Sequence, residues 1–309
     1  MNGEVLMPGE AAAERETANT REGAVARITC GVCPHACTLS PGQVGYCRAR
    51  VAPAAGEEPG EFGTLPQSYG RITSLALDPM EKKPISRWNP GTTVLSLGGY
   101  GCTMRCPFCQ NDSIAQVGED GVRWYGVTPE QLIKQALDLR KRRCIGIAYT
   151  YNEPLSFWEF VRDTGMLAHE AGLVNVLVSN GMVNAEPLAE VAPLMDAANI
   201  DLKCFTEEGY RRLGGNLAAV QHTIETLVAT GTCHVEVTTL VVPGLNDTPA
   251  EIDVLTSWLA SLSPDIPYHL SRFFPHFKMA DARPTPLATM HELAAVARTH
   301  MHDVIFGNM

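Results

Sequence analysis

The stretch TTVLSLGGYGCTMRCPFCQN, Thr92 to Asn111, changes character half-way along. Its first part, TTVLSLGG, is a short apolar run closed by glycines and reads as a buried parallel strand. Its second part places Cys102, Cys106 and Cys109 in the pattern C-x3-C-x2-C, with Gly98, Gly99 and Gly101 beside them to allow tight backbone turns. A strand that runs straight into a loop of thiols fits a parallel α/β sheet, where chemistry collects at the C-terminal strand ends.

Further along, the same alternation repeats. Apolar runs CIGIAYTY, VNVLVSN, ANIDLK, HVEVTTLVV, PYHLSRF and HDVIFGN read as further buried strands. Between them lie segments of helical period: TPEQLIKQALDLRKR, LSFWEFVRDTGMLAHEAG, AEPLAEVAPLMD, NLAAVQHTIETLVATG, TPAEIDVLTSWLASLS and TPLATMHELAAVARTH. Several open on Thr-Pro, a helix cap followed by proline at the first helical position. The expected fold is therefore α/β, a parallel sheet curling into a partial (βα)6 TIM-like barrel. Three regions are expected: a disordered tail over 1–25, a small Cys-rich module with its linker over 26–68, and the barrel over 69–309. The linker is expected from the Pro, Gly and Glu content of Val51 to Gln67.

The chain is long enough, at 309 residues with 45% apolar content, to bury a large core. Its N-terminus has no basic region followed by an apolar one, and no later run approaches the length of a membrane span, so a soluble cytoplasmic protein is expected. In that reducing compartment, the close spacing among the ten cysteines points to metal binding or catalysis rather than disulfides, seven of them falling in two groups. The net charge of −10 and the lack of a long basic run make a nucleic-acid partner poorly supported.

A closed zinc site takes four ligands, and the loop offers three thiolates. Three suit an iron–sulfur cubane with one iron left open for substrate; the alternatives are zinc completed by a distant fourth ligand, or cysteines packed in a core. Nearer the N-terminus, Cys30, Cys33, Cys37 and Cys47 follow C-x2-C-x3-C-x9-C, enough for a second, closed site of zinc or iron–sulfur type, in which His35 is a possible replacement ligand. Cys144 and Cys233 read as buried small hydrophobes. Cys204, next to Lys203 at the expected barrel mouth, is retained as a weak catalytic candidate.

With these motifs in place, the sequence resembles the radical S-adenosylmethionine (SAM) enzymes, whose cluster loop is C-x3-C-x2-C after the first barrel strand. The resemblance implies a [4Fe-4S] cluster on Cys102, Cys106 and Cys109, with SAM chelating the open iron and cleaved reductively to a 5′-deoxyadenosyl radical. It implies Phe108 near the adenine and Asn152 and Glu153 of YTYNEP at the SAM amino group. Ser179 and Asn180 of SNGMV would lie at the ribose, with Asp201, Lys203 and His269 as further SAM contacts and Arg272 just beyond. An electron donor such as flavodoxin or ferredoxin is implied as a partner, with an unidentified small-molecule, peptide or protein substrate. Longer phrases, among them DPMEKKPISRWNPG, DLKCF, VEVTTLVVPGLND and CGVCPHACTLSPGQVGYCRAR, are similar to the AmmeMemoRadiSam-system branch, related to pyruvate formate-lyase activating enzyme. Thr238 stands where activases carry arginine. Activation of a glycyl radical enzyme, RNA modification and a non-catalytic metal scaffold are the other functions compatible with parts of this pattern.

Overall fold

The computed structural model describes residues 27–309; the tail expected over 1–25 lies outside the described residues. Eight strands form the main sheet: β1 (Ser74–Pro79), β2 (Thr93–Gly98), β3 (Cys144–Tyr149), β4 (Val174–Ser179), β5 (Ala197–Asp201), β6 (His234–Val241), β7 (Tyr268–Arg272) and β8 (Val304–Gly307). They lie side by side in chain order, with β1 antiparallel at one edge and β2 to β8 parallel. Six of the parallel strands are followed by a principal helix: α1 (Pro129–Asp138), α2 (Trp158–Glu170), α3 (Ala185–Val191), α4 (Leu217–Ala229), α5 (Pro249–Leu262) and α6 (Leu287–Ala297). The arrangement is the expected six βα units followed by the expected last strand, β8, with the antiparallel β1 added at the opposite edge.

Local chemistry explains where the helices start and stop. Thr128 and Gln131 make a reciprocal capping box at α1, and Thr248 caps α5, each with proline at the first helical position. The third Thr-Pro behaves differently. Thr285 lies outside α6, and its buried hydroxyl donates to Val241 O at 2.6 Å, fastening the approach to α6 onto the end of β6. The segment AEPLAEVAPLMD is one helix only as far as Val191, then a 3-10 turn over Ala192–Leu194, because Pro193 has no N–H to continue the ladder.

The two faces of the sheet are packed differently. Leu95, Leu97, Ile147, Tyr149, Leu177, Ile200 and Val237 join the helices in the main core. On the opposite face, Val94, Ala148, Val176 and Ala197 form a smaller cluster closed by Met80 and Ile85 from the segment between β1 and β2. Asn199, on the same face as Ala197 by the two-residue strand period, donates to Pro84 O at 2.8 Å and fastens that segment in place.

The Cys-rich segment is joined tightly to this framework. Arg50–Val51 pairs with Leu65–Pro66, within the stretch expected to be a linker. Arg50 is 1% exposed and donates to both oxygens of Glu159 on α2, at 2.9 and 2.7 Å, and to Thr64 and Ser156. Buried charges survive only with such complete pairing, so Arg50 ties the segment to the barrel. Among the described residues, no helix is long and apolar enough to cross a membrane.

Candidate active site

The Cys102–Cys109 loop leaves β2 through two glycines that no other residue could replace without displacement. A Cβ on Gly98 would lie 2.8 Å from Tyr151 Cβ and 2.9 Å from Thr150 O. Gly101 has φ +81°, and a Cβ there would lie 2.3 Å from Cys47 O. The loop is thereby pressed against the end of β3 on one side and the N-terminal cysteines on the other. Cys102 N donates to Cys47 O at 3.0 Å, joining the two cysteine segments through their backbones.

Three strand ends close on this loop. After β3, Asn152 accepts from Gly99 N at 2.9 Å and donates to Gly101 O at 3.0 Å, so its amide clamps the loop backbone. Glu153 is 1% exposed and accepts from Leu155 N at 3.0 Å, Ser179 Oγ at 2.7 Å and Asn180 N at 2.9 Å. It therefore fastens the ends of β3 and β4 together. Asn180 donates to Thr103 Oγ1 at 3.1 Å and approaches Cys102 Sγ at 3.4 Å, where Met104 N also points. After β5, the Lys203 ammonium meets Asp201 at 2.7 Å.

Charge at this site is poorly solvated. Burial pushes all three loop thiols up, Cys106 to about 11, while the Lys203 ammonium pulls Cys106 and Cys109 back. Burial also raises Glu153 to about 7, since its hydrogen-bond donors are all neutral. Lys203 is held charged against its burial by Asp201 and by the nearby thiols.

Among the described residues, no three His, Cys, Asp or Glu side chains gather closely enough to share one metal ion. Three soft donors, two N–H groups on Cys102 Sγ and an adjacent ammonium form a donor set suited to an anionic iron–sulfur group. Cys30, Cys33, Cys37 and Cys47 likewise do not gather closely enough to share one metal ion. Burial raises Cys33 to about 12. Thr64 Oγ1 donates to Cys30 Sγ at 3.1 Å and Tyr46 N to Cys37 Sγ at 3.4 Å. His35 turns away to Thr103 O, 2.8 Å from Nε2.

The other expected residues are placed as follows. Phe108 is 4% exposed and belongs to the main core. Cys204 is wholly buried, packed so closely on Gly209 that a Cβ there would lie 2.5 Å from its sulfur. Arg272 donates to Thr285 O. His269, expected at SAM, pairs in register with Thr238, and its Nε2 lies 2.5 Å from Glu236 Oε2.

Glu236 was not legible as a special position. It is fully buried and also accepts from His234 Nε2 at 2.9 Å and from Ser86 N and Arg87 N at 2.8 Å each. The available signal was a carboxylate inside HVEVTTLVV, where an apolar residue would be usual. Equally unanticipated is Asp78, which takes Lys82, the buried Lys83 and the Tyr151 hydroxyl. Tyr151 holds φ +71°, an uncommon conformation for a bulky residue, immediately before Asn152 and Glu153.

The radical SAM superfamily model matches residues 97–255, from the last turn of β2 into α5. That span contains the cysteine loop and the strand ends that clamp it. The chain belongs to the radical SAM superfamily. An uncharacterized protein of Methanocaldococcus jannaschii is 35% identical over 270 residues, covering 85% of this chain and 76% of the relative. Among solved structures, a radical SAM methyltransferase from Sphaerobacter thermophilus matches with a TM-score of 0.54 at 15% identity, over 71% of this chain and 67% of that one. Streptococcus suis SuiB matches with a TM-score of 0.52 at 10% identity, over 68% of this chain and 47% of that one. At these identities the likeness is one of fold. The chemistry of the radical SAM superfamily is reductive cleavage of SAM at a [4Fe-4S] cluster, giving a 5′-deoxyadenosyl radical that abstracts hydrogen.

Proposed function

We propose that Cys102, Cys106 and Cys109 hold the [4Fe-4S] cluster and that the ends of β3, β4 and β5 hold SAM above it. The observation that carries this reading is the hydrogen-bonded convergence on the loop: Asn152 on Gly99 and Gly101, and Asn180 on Thr103 and Cys102 Sγ. When bound, the cluster supplies the electron that breaks the SAM sulfonium bond. The chain's own residues position and enclose. Asn152 fixes the loop backbone, while Asn180 N–H directs one sulfur. Glu153, three of whose carboxylate positions are taken by neutral donors, has one lone pair left to accept from the SAM amino group. Lys203, aligned by Asp201, meets the carboxylate or ribose, and Ser179 fixes Glu153 from behind.

The N-terminal cysteines are assigned a second site of zinc or iron–sulfur type, which forms as the thiols lose their protons to the metal. The long phrases shared with the AmmeMemoRadiSam-system branch support a cytoplasmic enzyme similar to pyruvate formate-lyase activating enzyme. Thr238, in place of an arginine, favours hydrogen abstraction from a separate substrate over glycyl-radical installation on a protein partner. Among the described residues its buried hydroxyl has no hydrogen-bond partner, and it shares a register row with Asp201 and His269.

The test is anaerobic reconstitution with iron, sulfide, SAM and reductant, scored by 5′-deoxyadenosine. Replacing Cys102, Cys106 and Cys109 together by Ala should abolish the product and leave the melting temperature within a few degrees, since the thiols occupy a loop. Persistent 5′-deoxyadenosine in that variant would remove the assignment.

A further inference from the structure

Two N–H groups are directed at Cys102 Sγ, and each is held at its far end. Asn180 Nδ2 lies 3.4 Å from the sulfur, and the oxygen of the same amide accepts from Met182 N at 2.8 Å. Met104 N also lies 3.4 Å from the sulfur. Its peptide unit includes the carbonyl of Thr103, and that carbonyl oxygen lies 2.8 Å from His35 Nε2. A trans peptide is planar, with its C=O and N–H pointing in opposite directions. One peptide therefore has an imidazole at one end and the sulfur of Cys102 at the other.

The partner fixes the polarity of the imidazole contact. A carbonyl oxygen only accepts, so Nε2 carries the proton and donates it. Hydrogen bonds that share one peptide polarise each other, and a donor on the carbonyl makes the N–H a stronger donor in turn. The imidazole is itself seated. Its ring centroid is 4.0 Å from that of Tyr46, the Arg105 guanidinium covers Tyr46 at 4.0 Å, and Arg105 donates to Met104 O at 2.9 Å. Although His35 stands between Cys33 and Cys37 in sequence, the chain turns through a left-handed φ of +42° at Ala36, and the ring meets the cluster loop. Thr103 is 2% exposed, which leaves water little room to replace the imidazole on its carbonyl.

We propose that His35, in the N-terminal cysteine segment, is a positioning residue of the cluster: acting through the peptide between Thr103 and Met104, it strengthens the hydrogen bond on Cys102 Sγ and so raises the reduction potential. The inference rests on the radical SAM assignment of Cys102, Cys106 and Cys109. Reduction adds one electron, and its negative charge spreads onto the cluster sulfurs, so an N–H donor on a sulfur favours the reduced form. No proton leaves His35 or the peptide.

The experiment titrates the reconstituted full chain anaerobically with a europium(II) chelate as the one-electron reductant, in the absence of SAM. It follows the paramagnetic resonance signal that shifts when SAM is added to a parallel sample, which reads the loop cluster and not a metal on Cys30, Cys33, Cys37 and Cys47. A midpoint potential belongs to the loaded cluster, so incomplete loading does not move it. His35→Phe keeps a ring against Tyr46 but removes the donor. It should lower the reduction equilibrium constant about threefold, a fall of roughly 28 mV at about 59 mV per tenfold for one electron. His35→Gln restores an N–H donor at a similar reach and should recover most of that fall. Iron, sulfide and melting temperature should stay close to wild type in both. An unchanged midpoint in His35→Phe would overturn the proposal. So would equal falls in the two variants, which would make ring packing rather than the hydrogen bond the cause. A wild-type protein with no SAM-responsive signal would remove the radical SAM assignment, and the proposal with it.

Discussion

Glu153 at the rim of the barrel and Glu236 in its wall have the same side chain and nearly the same burial, 1% and 0% exposed. Their surroundings drive them in opposite directions. Burial raises Glu153 to about 7, because two backbone N–H groups and one hydroxyl only partly offset the lost hydration. Glu236 is penalised by burial too, yet His234, His269 and the N–H groups of Ser86 and Arg87 bring it down to about 2. The wall carboxylate is saturated, with imidazoles among its partners. The rim carboxylate is held by neutral groups and retains one position to fill. In the proposed site it is the under-compensated acid that a ligand would complete, whereas the fully compensated one is a structural fastening.

The largest expected effect is on the wall. Glu236→Ala removes the acceptor of two histidines and of the segment between β1 and β2, so it should lower folding stability by about 3–5 kcal/mol. Denaturant unfolding measures it. A loss below about 1 kcal/mol would mean that Glu236 is not the fastening described.

Next in size is the pH response, in which the two carboxylates should act with opposite sign. Glu236 has a folded value near 2 against an ordinary 4.5, so its contribution is full above pH 4.5 and lost as the pH falls toward 2, about 3 kcal/mol in all. Glu153 has a folded value near 7, so the native state holds its proton more tightly than the unfolded chain. Its contribution is full below pH 4.5 and lost as the pH rises to 7, again about 3 kcal/mol. Between pH 4.5 and 7, therefore, Glu153→Gln should flatten a decline in stability that Glu236→Gln leaves intact. Identical slopes in the two variants would erase the contrast.

A smaller effect is expected on the ligand. Glu153→Gln should weaken SAM binding roughly ten- to a hundredfold, the size of a lost charge-assisted hydrogen bond of about 1.5–3 kcal/mol, without altering iron content. The cluster's paramagnetic resonance signal, which shifts when SAM ligates the iron, gives the affinity. Wild-type affinity would make Glu153 a second fastening like Glu236.

What the sequence made legible follows the same division. Strands, helices and the cysteine loop were readable because strand period, Thr-Pro caps and C-x3-C-x2-C are local signals at fixed spacing. YTYNEP and SNG were readable as strand ends, but the bonds that make them a unit, Glu153 to Ser179 and Asn180, span 26 and 27 residues. The Glu236 network joins β6 to a segment about 150 residues away, and Arg50 to Glu159 spans 109. Pairings over such distances leave no periodic trace. β1 was missed for a related reason: it is an edge strand whose burial is uneven, so it lacks the continuous apolar run of its neighbours.

His269 gives the sharpest test, with the smallest expected change in SAM affinity, since resemblance assigns it to SAM and geometry gives its Nε2–H to Glu236. His269→Ala should lower stability by about 1.5–3 kcal/mol, the range for a hydrogen bond to a charged group. His269→Gln keeps an N–H donor at a similar reach and should recover part of that loss. In both variants the SAM affinity measured by paramagnetic resonance should stay within about twofold of wild type, because Glu236 rather than the cysteine loop is the partner of this ring. The Gln variant is the decisive one: with folding largely restored, tenfold weaker SAM binding there would place the other face of the imidazole at the ligand. His269 would then link the wall network to the SAM site, and the separation between rim and wall would be lost.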